Sequence, residues 1–269
     1  MKRFWKDVTI AGREVLLDGR PVRTPARVPL VLPTDALAAA VAAEWRAVGE
    51  TIDPRAMPLT GLSNAAIDRI APDPALFAQG LARYGESDLL CYRAEAPPEL
   101  IERQVVAWDP PLHWARARYD IQVEVTAGIV HRAQPPATIA RLAEAIGAYD
   151  AWHLAGLSPV VTLTGSLILA LALAEGAMTA EAAWTAAQVD EQWQVDRWGE
   201  DALAAATTAA HRREFDAATA FLATLGRSKS PPICGRDNSL APVHDAERGS
   251  VAMSHARSGE STAIGDEHR

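Results

Sequence analysis

The chain has 269 residues, 49% of them apolar, and a formal net charge of -8. That length supports one large domain or two modest ones with real cores, and the apolar fraction marks a globular protein. An acidic chain with no Lys/Arg stripe lacks the basic footprint that displaces counterions from a polyanion, which excludes nucleic acid as a partner.

The N-terminal residues 1–8 pass directly into a strand-like pattern, with neither an apolar signal segment nor a long acid-free amphipathic leader, so the expected location is the cytoplasm. Strands are expected at 8–10 and 14–17, turning at Gly12, and Asp18-Gly19 suits the positive φ values of a type I′ turn. Residues 28–32 read as a further strand. Pro21, Pro25, Pro29 and Pro33 each delete a ladder donor, so the strands must be short or lie at an edge of a small twisted antiparallel sheet.

Thr34 then caps a helix over 34–48, in which Leu37, Val41 and Val48 share a face. Glu44 falls on that same apolar face, beside Trp45. A polar turn over 49–57 leads to a helix at 59–70, and Asp73-Pro74 is a cap followed by proline at the first helical position. Cys91 and Cys234 lack the spacing of a metal knuckle or a redox pair, which points to a reducing compartment.

From Pro97 onward the pattern is mainly helical, with spans expected at 99–117, 136–152, 159–174, 179–198 and 200–225 and a hairpin over 122–130 turning near Gly128. Ser158-Pro159 reads as a cap followed by proline. The most apolar run, 160–174, is too short for a bilayer and is interrupted by Thr162, Thr164, Gly165 and Ser166, so it reads as a buried helix with no membrane insertion. Gly165 and Ser166 are small enough to let a second helix approach it. After Gly226 the chain is rich in Ser, Gly, Pro and charges without a sustained period, and reads as disordered. The expected fold class is α+β: a small domain over 1–95 with an antiparallel sheet plus helices, a mainly α-helical domain over 96–226, and a tail over 227–269.

Templates for catalysis are missing. The chain has no Walker-type glycine loop, dinucleotide fingerprint, His-Glu-x-x-His pair or Gly-x-Ser-x-Gly elbow. Ser166 lacks an evident base, and His113 stands alone after Pro110-Pro111-Leu112. No cofactor and no catalytic residue is expected. A carboxylate metal site from Asp190, Glu191 and Asp196, with Glu200 and Asp201, fails on geometry, because Asp190 and Asp196 project away from Glu191 and no histidine lies at i+3 or i+4.

The segment 187–201 holds the one conspicuous anomaly. At 100° per residue Trp184, Ala187, Val195 and Trp198 fall on one helix face, with Glu191 in their midst. A desolvated carboxylate without a partner costs stability, so Glu191 is either paired in the core, for instance with an arginine, or is a docking group on a binding face.

Read together in order, several segments resemble one family. They are Val15-Leu-Leu-Asp-Gly-Arg-Pro-Val-Arg-Thr-Pro25, Glu44-Trp45, Ile52-Asp53 with Met57-Pro58-Leu59-Thr60, Asp88-Leu-Leu-Cys-Tyr-Arg93, Gln104 with Trp108-Asp109-Pro110, and 188–199. The family is that of ATP synthase F1 complex assembly factors that chaperone the alpha subunit. The likeness runs from about Phe4 to Gly226; Gly61, Pro111 and His113 depart from the expected pattern. It implies a chaperone that binds the newly made alpha subunit, shields its aggregation-prone interface and releases it to the forming F1 head. It also implies that the functionally important acidic residue is Glu191; its neighbours Asp190, Gln194, Arg197 and Trp198 are then expected to join it in binding the partner. A chain without a leader resembles the bacterial members; the eukaryotic ones work in the mitochondrial matrix. The alternative is a small-molecule enzyme with an interdomain cleft in which Glu191 acts as general acid or base. That reading requires a deep pocket where Glu191 meets a second titratable group.

Overall fold

Local rules build the first elements. A computed structural model describes residues 1–226, so the expected tail and Cys234 lie outside the described residues. Strands β1 (Val8–Ala11), β2 (Glu14–Leu17) and β3 (Arg20–Pro21) form an antiparallel sheet in that order, with Val8 opposite Leu17 and Leu17 opposite Arg20. Asp18 and Gly19 take φ of 47° and 77°, as the hairpin turn demands. The Asp18 carboxylate also accepts from the backbone N–H groups of Lys6 and Asp7, pinning the N-terminal segment to the turn.

Residues 28–32 form isolated bridges instead of a strand: Val31 pairs with Glu14 and Pro29 with Arg23. Pro29 and Pro33 supply no ladder N–H, which prevents a continuous run. Beyond them Thr34 caps α1 (Asp35–Ala47), its Oγ1 accepting from Leu37 N at 3.1 Å. The inner face of α1, with Leu37 and Val41 fully buried, lies against the sheet.

The expected helix over 59–70 is α2 (Pro58–Ala65) running into a π-helical turn, Ala66–Ile70, and Asp73 caps α3 (Pro74–Ala82) as expected. Glu44 is explained here. Its carboxylate reaches off α1 to accept from Leu59 N at 2.7 Å, Thr60 N at 2.8 Å and Thr60 Oγ1 at 2.7 Å. An anion at a helix N-terminus satisfies otherwise orphaned N–H groups and complements the helix dipole.

The expected hairpin over 122–130 does not form. After α4 (Pro98–Tyr119), β5 (Thr126–Ala127) pairs in parallel with β4 (Tyr92–Arg93), and Gly128 N donates to Arg93 O. Gly128 does turn the chain, at φ 79°, but the strand's partner lies more than thirty residues upstream, which no local pattern can announce.

Helices α5 (Pro136–Gly147) and α6 (Ala151–Thr164) replace the expected single span over 136–152, because Asp150 caps α6 by accepting from Trp152 N and His153 N. Pro159 consequently sits inside α6 and not at a start. Gly165 and Ser166 break the next expected span, ending α6 and opening α7 (Leu167–Ala174): Gly165 closes α6 at φ 65°, and Ser166 Oγ accepts from Leu169 N. The close approach expected at Gly165 occurs instead at Gly156, where an added Cβ would stand 2.7 Å from Leu222 of α10 (Ala202–Leu225). Helix α10 runs along α6 and also touches α1 and α2, and Thr34 Oγ1 donates to Thr224 O. One cluster of buried apolar side chains extends from Trp5 to Phe221. The architecture is a three-stranded sheet with helices at one end and a helical body around the fully apolar α7, which is the α+β class expected.

Candidate functional site

The span expected at 179–198 is two helices, α8 (Ala180–Ala187) and α9 (Val189–Trp198), which meet at Gln188. Helix α8 is anchored in the core: Trp184 packs on Phe215 with ring centroids 5.2 Å apart, and Trp108 Nε1 donates to Ala186 O at 2.7 Å. In α9 only Val189 is buried. The break at Gln188 re-aims the helix, so the apolar stripe of α8 does not continue along it.

Two polar ties hold α9 on α4. Gln104 Nε2 donates to Asp190 Oδ1 at 2.7 Å while its Oε1 accepts from Ala94 N, and Arg103 Nη1 donates to Asp196 Oδ2 at 2.6 Å. Gln104 is buried, so its bond to Asp190 joins α9 to both α4 and the end of β4. Arg197 stands over the Trp193 ring at 5.9 Å, and Trp193 meets Trp198 edge to face at 5.2 Å.

The opposite side of α9 faces the N-terminal half of α10 across a groove of about 510 Å³, lined by Trp184, Glu191, Gln194, Val195, Trp198 and Glu200 among others. Asp201 caps α10 by accepting from Leu203 N and Ala204 N. Trp198 is 72% exposed and Leu203 78%, large values for side chains of that size. Of the two readings of Glu191, pairing with an arginine in the core is not the one the fold adopts. Glu191 is exposed, and among the described residues no hydrogen bond or ion pair reaches its carboxylate. Arg212, the cation among the described lining residues, is engaged by Glu181 Oε2 at 2.6 Å and Asp216 Oδ1 at 2.8 Å.

The five residues singled out in sequence therefore divide. Glu191, Gln194 and Trp198 line the groove; Asp190 is turned to Gln104, and Arg197 covers Trp193. Sequence patterns missed Glu200 and Leu203. Both flank the Gly199 break, and that exposed apolar and acidic juxtaposition was the available signal. The cleft required by the enzyme alternative is not what surrounds Glu191, since the groove is open and no titratable side chain bonds to it.

Elsewhere the titratable groups are built into the fold. Asp88 is fully buried and accepts from Ser166 Oγ at 2.7 Å, Ile168 N at 3.0 Å and Leu90 N at 3.1 Å; burial pushes its carboxyl up to about 6 despite those bonds. The Ser166 hydroxyl is thus committed to Asp88, and His113 is exposed. Burial also raises the Cys91 thiol well above its ordinary range, which makes it a poor nucleophile. Tyr119 donates to Glu175 Oε1 at 2.7 Å, and Arg118 bonds the other oxygen of the same carboxylate. Among the described residues no group of three or more His, Cys, Asp or Glu is placed to hold a metal ion, and no helix is long and apolar enough to cross a membrane.

Known proteins match this chain in the same sense. The family described as ATP12 chaperone protein matches residues 2–116. The crystal structure of Atp12 from Paracoccus denitrificans is 41% identical, with a TM-score of 0.78 over 83% of this chain and 98% of that one. An Agrobacterium tumefaciens protein provisionally described as a chaperone is 44% identical, with a TM-score of 0.79 over 83% of this chain and 86% of its own. Mitochondrial atp12 from Schizosaccharomyces pombe is 29% identical over 214 residues, 74% of each chain. The class these define is a chaperone. The chain belongs to the ATP12 chaperone family, the assembly-factor family that its ordered motifs resemble.

Proposed function

We propose that this chain is an assembly chaperone of the F1 ATP synthase that binds the unassembled alpha subunit, shields its aggregation-prone interface and releases it to the forming F1 head. Membership of the family supports the assembly role. The observation that carries the docking part is Glu191, an unengaged carboxylate in an open groove beside the exposed Trp198. Exposed aromatic area supplies affinity, and a charge that is satisfied only by the partner supplies specificity. Within this reading Gln194 adds a hydrogen-bonding amide, while Asp190 ties the helix that presents the groove to Gln104 and Arg197 covers the Trp193 ring beside it. Residues 1–95 and 96–226 are read as two domains, with the groove belonging to the second. The site of action is the compartment where F1 is assembled, the cytoplasm of a bacterium or, for relatives such as the one named mitochondrial, the mitochondrion.

Co-expression with the alpha subunit and capture of the complex is the test. The parent chain retains alpha and suppresses its aggregation; Glu191→Lys, with an unchanged unfolding midpoint, binds about 10-fold or more weakly. A folded Glu191→Lys chain that captures and protects alpha as well as the parent removes Glu191 from the interface. Failure of the parent to capture alpha removes the client.

A further inference from the structure

The groove between α9 and α10 carries an electrostatic imbalance that specifies its occupant. Glu191 and Glu200 both line it, and among the described residues neither carboxylate is engaged in a hydrogen bond or ion pair. Asp201 adds a third carboxylate, balanced by the N–H groups of the helix it caps. Arg212 offers no relief, because Glu181 and Asp216 already hold its guanidinium. The rest of the wall carries no charge: Trp184, Val195, Trp198, Ala204, Ala205 and Ala209 give it apolar or small surface, and Gln188, Gln192, Gln194 and Thr208 add neutral polar groups.

A covering partner that brought only apolar surface would desolvate two glutamates without a countercharge, which is costly. A covering partner that brought carboxylates would add repulsion. A guanidinium meets both requirements: it forms directed bonds to carboxylate, and its flat face stacks on an indole such as that of Trp198. Flanking apolar side chains would then cover Val195 and the alanine wall of α10, where small residues leave room for them.

Resting on the reading of this groove as the client contact, we infer that its occupant is a cationic amphipathic segment of the partner protein, presenting an arginine between apolar side chains. The arginine lies between Glu191 and Glu200 with its face toward Trp198. Exposed Leu203 extends the apolar contact beyond the groove.

The probe is a fluorescently labelled amphipathic peptide in which arginine is flanked by leucines, titrated by anisotropy against the full chain. Two copies of it carry glutamine or glutamate in place of arginine. The arginine peptide binds about 10-fold or more tightly than the glutamine copy, as expected for a charge-assisted bond at a partly desolvated site, and the glutamate copy does not bind. Added salt narrows the difference. Glu191→Gln combined with Glu200→Gln abolishes the preference for arginine while leaving the unfolding midpoint in place, and Trp198→Ala weakens both peptides, the arginine one more than the glutamine copy.

Equal binding of the arginine and glutamine peptides overturns the inference, as does retention of the preference in the double variant, or no binding at all. Concentration-dependent dimerisation in light scattering that Trp198→Ala abolishes would assign the groove to a second copy and also overturn it. Capture of the alpha subunit is run in parallel. Capture that persists in the double variant sinks the cationic-segment inference and leaves the chaperone reading standing; arginine-peptide binding without capture of alpha does the reverse.

Discussion

Glu44 and Glu191 occupy equivalent places in sequence, each a carboxylate set into the apolar stripe of an amphipathic helix, and the fold treats them oppositely. Around Glu44 the chain returns with the N-terminus of α2, and three donors converge on the carboxylate within 2.8 Å. Around Glu191 the helix has been broken at Gln188 and turned outward, and nothing among the described residues converges. A misplaced charge in a helical pattern therefore marks either a joint between elements or a surface awaiting a partner. What separates the two is whether backbone donors from another part of the chain arrive there.

Asp88 is the extreme member of the first kind, and its removal has the largest expected effect on stability. Asp88→Ala strands the buried hydroxyl of Ser166 and the N–H groups of Ile168 and Leu90 where α7 begins, and costs about 4 kcal/mol in urea unfolding. A loss below about 1 kcal/mol would show that water or relaxation replaces the carboxylate.

Glu44→Ala comes next, at about 2 kcal/mol, because the donors it leaves lie at a partly buried helix start and some regain water. Glu191→Ala, measured the same way, changes stability by no more than about 0.5 kcal/mol. The comparison breaks if the two substitutions cost the same.

Protonation offers a finer contrast. Burial pushes the Asp88 carboxyl from its ordinary 3.8 up to about 6, so the folded state holds the proton more tightly. Its contribution to stability is fully present below about pH 4 and is lost as pH rises through about 6. The Asp150 carboxylate raises the pKa of His153, whose contribution has the same sign: present below the ordinary histidine value of about 6.5 and lost as pH rises through the elevated one. Urea midpoints of the parent, Asp88→Asn and His153→Gln between pH 4 and 8 separate the two windows. A parent profile that the two substitutions leave unaltered would contradict both assignments.

The smallest expected effect is at the ties of α9. Arg103→Ala removes a solvent-screened ion pair to Asp196 and leaves the urea midpoint close to the parent's, yet it loosens the wall of the groove; capture of the alpha subunit weakens by about 3-fold. Unchanged capture would mean that Gln104 alone positions the helix.

Much of this was legible in the sequence wherever cause and effect lie within one turn. Thr34 and Asp73 cap helices by accepting N–H bonds from three residues ahead, and Asp18-Gly19 turns a hairpin by its own φ values. Asp150 shows the limit of that method. It is an equally local cap, but the apolar run that follows hid the break, and Ser158-Pro159 drew the helix start eight residues too far along.

The candidate site was legible as composition and illegible as geometry. Glu191, Gln194 and Trp198 could be picked out because their types violate or enrich a helical stripe. Glu200 and Leu203 gave only the weaker signal of an acidic and an apolar residue after a glycine break, because exposure at a helix start depends on what packs above it. The role of Asp190 was equally hidden, since its partner Gln104 lies 86 residues away. The ordered motifs identified the family without revealing which of their residues hold the fold and which face outward.

The sequence by itself determined the α+β class, most helix starts, the two anomalous carboxylates and the family. Those rest on periodicity, capping and residue order, which act over a few neighbouring residues. Only the tertiary structure decided that Glu44 is a joint and Glu191 a surface, that Thr126–Ala127 pairs with β4, and that α9 and α10 enclose a groove. Each of these depends on which donors, strands or helices distant in the chain converge on one place, and convergence is a property of packing that no local pattern encodes.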